Sequence, residues 1–157
     1  NPSEPIVAVS SAKETPESYA HAVEILRQPN ALLLVLNSDA WAPKIDGTRE
    51  PVSGALCERL RRDSVSENND GQGCETHYLG KPFPSIWNAV RETLPESLFG
   101  GRKPRVLMVG DTLGTDVYGG KIAGFDSALI VGRNEPAIEL EEDERELGIK
   151  PDWYLIP

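Results

Sequence analysis

The stretch 105–124, RVLMVGDTLGTDVYGGKIAG, constrains the fold of this chain more than any other part of the sequence. It begins with an unbroken apolar run at 106–109, which predicts a short strand buried on both faces of a parallel sheet. Gly110 ends the run, and Asp111 then stands where the carboxyl end of that strand would lie. In open α/β sheets, ligands bind in the loops beyond the carboxyl ends of the strands. The stretch therefore predicts an α/β fold with a functional loop around Asp111.

Two carboxylates, Asp111 and Asp116, lie in this loop, and they allow two interpretations. Carboxylate oxygens beside a helix amino terminus, with little bulk around them, suit Mg²⁺ and a phosphate group together. The alternative is that Asp111 is a turn residue and Asp116 only a helix cap. In either case, Thr115 or Asp116 is expected to cap a helix that runs to Ala123. The residues of the loop alone leave both interpretations open.

The rest of the chain alternates predicted strands with predicted helices, which indicates an α/β fold with a parallel sheet. Further strands are predicted at 6–9, 31–36, 76–79, 126–131 and 153–156. Thr15 followed by Pro16 predicts the start of a helix, because threonine caps helices and proline fits their first turn. The segment 40–51 contains Pro43 and a predicted turn at Asp46, and is expected to be a loop.

The composition of the chain argues against several classes of partner. A formal net charge of −9 disfavours binding to nucleic acids and to anionic membranes. The longest apolar run, at 31–36, is far too short to span a bilayer. Two cysteines, Cys57 and Cys74, form neither a disulfide scaffold nor a metal knuckle, so we expect a reducing, cytoplasmic environment.

Two segments, GKPFPSIW at 80–87 and GDTLGTD at 110–116, together resemble a known family. A GKP segment with a further proline, one strand–helix unit before a GDxxxTD loop, is similar to the haloacid dehalogenase superfamily. More narrowly, it resembles the class IIA phosphatases, which include 4-nitrophenylphosphatases, pyridoxal phosphate phosphatases and phosphoglycolate phosphatases. The resemblance includes LLLVLNSDAWAP at 32–43 and covers nearly the whole chain. It implies part of a Rossmann-like core with a parallel sheet, plus part of an α/β cap domain.

The resemblance implies catalytic and metal-binding roles for three residues. Lys81 would neutralise the substrate phosphoryl group and the attacking carboxylate, a role that suits a flexible ammonium group. Asp111 would bind Mg²⁺ directly, and Asp116 would hold metal-bound water or orient the lysine. The implied reaction is phosphoryl transfer through an aspartyl-phosphate, with Mg²⁺ bridging phosphate and nucleophile. In the simpler interpretation, Lys81 is a surface lysine before a helix bounded by proline.

The family's nucleophile motif, DxDG, is missing from this sequence. Asp46 precedes a glycine, but Lys44 stands where the first aspartate of the motif belongs. Asp39 ends a predicted strand, but Trp41 stands where the second aspartate belongs. The family's second motif, a serine or threonine that closes another strand, is not identifiable either.

In class IIA proteins, both missing motifs precede an inserted cap domain. The resemblance therefore implies that residues 1–75 are the remaining cap and residues 76–157 the carboxyl-terminal half of the core. The strand at 106–109 would then present an unpaired apolar edge, which is costly and prone to aggregation. We expect the chain to be a fragment, inactive alone, or to have its missing half supplied by another polypeptide.

The segment at 37–39 corresponds to the cap loop that faces the active site and selects substrate in this family. The resemblance thus implies that Asn37, Asp39 and Trp41 bind substrate together with Lys81. For Asn37 alone, a simple turn at the end of a strand is the alternative. Pyridoxal phosphate phosphatases have a histidine where this chain has Ala42, which argues against that substrate. Class IIA relatives often dimerise through the cap, so a homodimer is a further implication.

Two functions of different classes follow from these observations. The first is a Mg²⁺-dependent phosphatase that acts on a small phosphorylated metabolite. The second is a non-catalytic pseudo-phosphatase subunit or binding module that kept the fold. A phosphoacceptor receiver domain fails on residue order, because the receiver lysine follows its aspartate, whereas Lys81 precedes Asp111.

Overall fold

The computed structural model describes residues 4–44, 46, 48–65, 71, 73–94, 105–133 and 140–156. The chain forms two compact units, Asn1–Gly80 and Lys81–Pro157. Each unit contains a three-stranded sheet whose strands are all parallel, which confirms the predicted α/β fold. Within the described ranges, no helix is both long and apolar enough to cross a bilayer.

The first unit is built on a sheet of strand order β1-β2-β5. Its elements are β1 (Ile6–Val9), α1 (Pro16–Leu26), β2 (Leu32–Val35), β3 (Trp41–Pro43), β4 (Arg49–Pro51), α2 (Ser53–Asp63) and β5 (Glu75–Tyr78). Both crossovers move the chain by one strand in the same direction, so right-handed connections place α1 and α2 on one face of the sheet. The two helices contact each other there. The apolar core between sheet and helices consists of Val9, Val23, Leu26, Ala31, Leu33, Val35, Leu56, Cys57 and Leu60.

Strand β5 determines where the first unit ends. It pairs with β2, with Glu75 opposite Leu32 and Tyr78 opposite Val35. The division therefore falls after Gly80, whereas the family resemblance implies a domain boundary near residue 75.

Helix α1 begins as predicted from the Thr15–Pro16 pair. Thr15 Oγ1 accepts a hydrogen bond from the Ser18 backbone N–H at 3.2 Å, and Ser18 Oγ accepts one from the Thr15 backbone N–H at 2.9 Å. Pro16 is the first helical residue. This reciprocal pair satisfies two backbone donors that the helix itself leaves without a partner.

The segment 40–51 is a β-hairpin, so the prediction of a loop is wrong. Strands β3 and β4 pair antiparallel, with Trp41 opposite Pro51. In the turn, Asp46 Oδ1 accepts hydrogen bonds from the backbone N–H and the hydroxyl of Thr48, at 3.0 and 2.6 Å. Each strand has three residues and includes a proline, so the sequence lacks the apolar alternation that predicts strands.

The second unit is built on a sheet of strand order β6-β7-β8. Its elements are α3 (Pro84–Thr93), β6 (Leu107–Gly110), a π-helical turn (Leu113–Val117), α4 (Tyr118–Ile122), β7 (Asp126–Ile130), α5 (Leu140–Leu147) and β8 (Trp153–Leu155). Leu113 and Val117 of the π-helical turn pack with Leu129 of β7 and Leu140 of α5. This cluster places the loop after β6 directly on the core of the unit.

Strand β6 is not buried on both faces, contrary to the prediction from its apolar run. Leu107 and Val109 are 49% and 45% exposed. Met108 points to the opposite face, toward Gly120 of α4. Among the described residues, β6 pairs with β7 alone and so forms an edge of the sheet. Such an apolar edge is the arrangement expected for a sheet that lacks a neighbouring strand.

Candidate functional site

The loop after β6 closes around the carboxylate of Asp116. This side chain is 3% exposed, and its Oδ2 accepts hydrogen bonds from the backbone N–H groups of Asp111 and Thr112, both at 3.1 Å. The prediction that Thr115 or Asp116 caps the following helix is wrong. Thr112 precedes the π-helical turn, and Asp116 folds back from within the turn to bind the loop.

The closed loop requires a glycine at the end of β6. A Cβ atom on Gly110 would lie 2.2 Å from both Cγ and Oδ2 of Asp116. No side chain fits at that distance. The missing side chain therefore lets the Asp116 carboxylate reach the backbone N–H groups of the loop.

Lys81 is the second charged member of the site. Its Nζ donates a hydrogen bond to Asp116 Oδ1. The lysine side chain is 34% exposed, so it stays accessible while the carboxylate that holds it is buried. Asp116 is thus compensated by one cation and two backbone donors, as a buried carboxylate needs to be.

Contacts of Trp87 fix the segment that carries Lys81. Trp87 is 4% exposed, and its Nε1 donates to the Pro82 carbonyl oxygen at 3.0 Å. Its ring meets that of Phe125 edge to face, with centroids 5.8 Å apart. A Cβ atom on Gly119 would lie 2.5 Å from the Trp87 ring, so α4 passes close to it. Together these contacts tie Pro82 to α4 and keep Lys81 next to Asp116.

Asp111 is the more accessible of the two carboxylates, with a side chain that is 31% exposed. Arg133 Nε lies 3.3 Å from Asp111 Oδ2, and Thr112 Oγ1 lies 3.4 Å from Asp111 Oδ1. The sequence-based prediction missed Arg133. The available signal was a cation soon after the end of β7, because the carboxyl ends of adjacent parallel strands meet at one edge of a sheet.

The site contains side-chain oxygens that could provide some of the ligands of a hard divalent cation. Asp111 offers accessible carboxylate oxygens, which Mg²⁺ prefers. Asp116 is engaged by Lys81 and two N–H groups, which suits orientation of the lysine better than direct ligation. In the part of the chain that the structure describes, no group of three or more His, Cys, Asp or Glu side chains could hold a metal ion. Asp111 therefore fits as one ligand of such an ion.

The predicted site residues are divided between the two units. Lys81, Asp111 and Asp116 come together in the second unit. Asn37, Asp39 and Trp41, the predicted substrate-binding residues, belong to the first unit.

The segment at 37–39 has an ordered conformation within the first unit. Asn37 Oδ1 accepts a hydrogen bond from the Asp39 backbone N–H at 3.0 Å, and the Asp39 carbonyl accepts one from Gly54 at 2.9 Å. A Cβ atom on Gly54 would lie 2.2 Å from the Ser38 carbonyl oxygen, so α2 is pressed against the segment. Asp39 Oδ1 is buried and has no hydrogen-bond partner among the described residues, while Trp41 is 53% exposed.

Comparisons with known proteins relate the chain to a family of hydrolases. Residues 78–155 match a family described as HAD-hydrolase-like. The chain is 34% identical over 120 residues to chronophin of Rattus norvegicus, an alignment that covers 76% of this chain and 33% of chronophin. The 4-nitrophenylphosphatase of Thermotoga maritima has a TM-score of 0.67 at 27% identity, over 96% of this chain and 51% of that one.

A second solved structure shows the fold alone, because its identity is low. It is a possible sugar phosphatase of the HAD superfamily from Cytophaga hutchinsonii, with a TM-score of 0.73 at 21% identity over 95% of this chain and 50% of that one. The chain thus spans about half the length of these two structures and about a third of rat chronophin. With the family match, the relative and the fold in agreement, the chain belongs to the haloacid dehalogenase-like hydrolases.

Proposed function

We propose that this chain provides the lysine, the metal-binding aspartate and part of the cap of a class IIA phosphatase that acts on small phosphorylated metabolites. The observation that carries the proposal is the Lys81–Asp116 pair beside Asp111 at the carboxyl end of β6. Similarity to a 4-nitrophenylphosphatase supports it.

Lys81 would bind the phosphoryl group of the substrate. Its ammonium group is a compact charge that suits phosphate oxygens. Asp116 is buried and anchored by two backbone N–H groups, so it holds the ammonium group in place before substrate arrives. Preorganised charge of this kind lowers the energy of a transition state without reorganisation at the moment of reaction.

Asp111 would hold Mg²⁺ through a carboxylate oxygen. When bound, the ion would neutralise charge on the phosphoryl group and on the attacking carboxylate. Asp116 would remain with Lys81 and act as a positioning residue.

The attacking carboxylate would come from polypeptide outside residues 1–157, since the sequence has no DxDG motif. The edge of β6 offers a place for the strand that carries it. Its oxygen would attack phosphorus, the bond to the ester oxygen of the substrate would break, and water would then hydrolyse the aspartyl-phosphate. In this proposal, the first unit, which ends at Gly80, belongs to the cap, the second unit belongs to the core, and the 157 residues alone are inactive.

Asn37, Asp39 and Trp41 would contact the substrate from the cap. The exposed Trp41 ring is the group that supports this role. Ala42 argues against pyridoxal phosphate as the substrate. We also propose that the protein is cytoplasmic and that it forms a homodimer.

Hydrolysis of 4-nitrophenyl phosphate by the natively expressed protein tests the role of Lys81. We expect Lys81→Met to lower kcat by about 100-fold or more, the usual effect of removing a preorganised group that stabilises charge in the transition state. Lys121→Met is the matched control, because Lys121 is also 34% exposed but pairs with Asp152. We expect this control to retain the wild-type kcat.

Folding has to be checked because Lys81→Met leaves a buried carboxylate without its cation. A double variant, Lys81→Met with Asp116→Asn, removes both charges and should fold, yet remain as inactive as the single variant. A folded Lys81→Met protein with wild-type kcat would contradict the proposal. If even the wild-type protein shows no Mg²⁺-dependent hydrolysis, the non-catalytic pseudo-phosphatase or binding module becomes the better description.

A further inference from the structure

Arg133 forms an ion pair with Asp111 that the proposed reaction does not use. The guanidinium Nε lies 3.3 Å from Asp111 Oδ2, and the two side chains are 69% and 31% exposed. An ion pair this exposed is weak, so it can open and close readily.

The position of Arg133 follows from the parallel pairing of β6 and β7. Gly110 lies opposite Leu129, so both strands end at the same edge of the sheet. Gly132 has a φ of +81°, a conformation that favours glycine, and it turns the chain directly after β7. The turn leaves Arg133 beside the carboxylate that follows β6.

The four charged side chains that this chain brings to the site balance one another. Lys81 and Arg133 carry two positive charges, and Asp111 and Asp116 carry two negative ones. A divalent cation on Asp111 would add two positive charges next to the Arg133 guanidinium group, which would be repelled. A phosphate dianion would offset these two positive charges. Its oxygens would also accept hydrogen bonds from two N–H groups of the Arg133 guanidinium.

We propose that Arg133 couples the binding of Mg²⁺ to the binding of phosphate. Without ligands it pairs with Asp111 and competes with Mg²⁺ for that carboxylate. When Mg²⁺ and a phosphate group bind together, Arg133 leaves Asp111 and donates to a phosphate oxygen. This inference rests on the proposed function, because it takes Asp111 to be the Mg²⁺ ligand.

Calorimetric titration of Mg²⁺ into the natively expressed protein, with and without inorganic phosphate, tests the coupling. Without phosphate, Arg133→Gln should bind Mg²⁺ about two- to five-fold more tightly than wild type, the range set by an exposed ion pair. Saturating phosphate should raise the Mg²⁺ affinity of Arg133→Gln less than it raises the Mg²⁺ affinity of the wild-type protein.

Two further variants separate the possible causes of a change in Mg²⁺ affinity. Arg105→Gln is the matched control, since Arg105 is an exposed arginine of the same unit that pairs with Asp126, and its loss changes net charge equally. Asp111→Asn tests the ligand itself and should weaken Mg²⁺ binding.

Unchanged Mg²⁺ affinity in Arg133→Gln, together with weaker binding in Asp111→Asn, would overturn the coupling and leave the proposed function intact. An equal gain in Arg105→Gln and Arg133→Gln would also overturn it, because net charge would then explain the effect. If Asp111→Asn leaves Mg²⁺ affinity unchanged, the proposed metal role of Asp111 fails and the coupling fails with it.

Discussion

At the scale of single residues, the candidate site depends on one buried carboxylate. One carboxylate oxygen of Asp116 accepts a hydrogen bond from Lys81, and the other accepts hydrogen bonds from two backbone N–H groups. Removing Lys81 would leave the buried carboxylate without its cation, which destabilises the folded protein. The position of Lys81 and the shape of the loop therefore both depend on Asp116.

Gly110→Ala should displace Asp116 and destabilise the protein. The added methyl group would meet the Asp116 carboxylate at 2.2 Å, and forced overpacking of this kind costs about 1–3 kcal/mol. Urea denaturation of the two proteins measures the difference in the free energy of unfolding.

Gly114→Ala in the same loop is the control. Its Cβ would have no heavy atom within 4 Å, and its backbone is not left-handed. We expect it to leave the free energy of unfolding unchanged or slightly raised, because alanine favours helical turns. Equal effects of the two substitutions would mean that Gly110 does not serve the Asp116 contact.

Residue roles could be predicted only where the sequence pattern was local. The GDTLGTD loop placed Asp111 and Asp116 together, and the GKP segment added Lys81 through a family resemblance. Arg133 was missed because its contact with Asp111 joins two loops that only the pairing of β6 and β7 brings together. The expectation that Thr115 or Asp116 caps a helix is wrong because the Asp116 carboxylate accepts from Asp111 and Thr112, which precede it, an arrangement that capping rules do not describe.

At the scale of elements, hydrogen bonds to Asp152 connect β8 to the rest of the second unit. Its Oδ2 accepts hydrogen bonds from the backbone N–H and the hydroxyl of Ser127 on β7, at 2.8 and 3.0 Å. Its Oδ1 accepts one from Lys121 of α4 at 2.7 Å. One side chain thus joins the start of β8 to both β7 and α4.

The Asp152 contacts should make the second unit sensitive to acid. The hydrogen bond from Lys121, then that from the Ser127 backbone, lowers the pKa of Asp152 from 3.8 to about 2. Because the folded-state pKa is depressed, this stabilisation is complete above the ordinary pKa and is lost as pH falls toward about 2. We expect Asp152→Asn to lower the urea midpoint near neutral pH, with a difference from wild type that shrinks across this acidic range.

Glu142→Gln on α5 controls for the change in net charge, since Glu142 is exposed. It should not reproduce the pH-dependent difference. A difference between wild type and Asp152→Asn that stays constant down to pH 2 would contradict the assigned pKa shift.

Elements could be predicted where local chemistry determined them. Thr15 and Pro16 marked the start of α1 correctly, because capping involves neighbouring residues only. The β3–β4 hairpin was missed because its short strands are stabilised by pairing with each other and not by an apolar pattern. The burial of β6 on both faces was mispredicted because an apolar run shows which residues seek burial, but not whether another element covers each face.

At the scale of the whole molecule, the chain consists of two α/β units, each with its own parallel sheet. The second unit contains Lys81, Asp111 and Asp116, and one edge of its sheet, β6, is exposed among the described residues. Known relatives are two to three times as long as the parts that this chain matches. These facts support the proposal of a phosphatase whose nucleophile lies outside residues 1–157.

The most direct test of this account compares Mg²⁺-dependent hydrolysis of 4-nitrophenyl phosphate by the natively expressed protein and by residues 1–157 expressed alone. Intact mass identifies the first sample, and circular dichroism checks that the second is folded. The account predicts activity in a native protein heavier than these residues, and none in residues 1–157 alone. Hydrolysis by residues 1–157 at the rate of the native protein would contradict it, because the nucleophile would then lie within this chain.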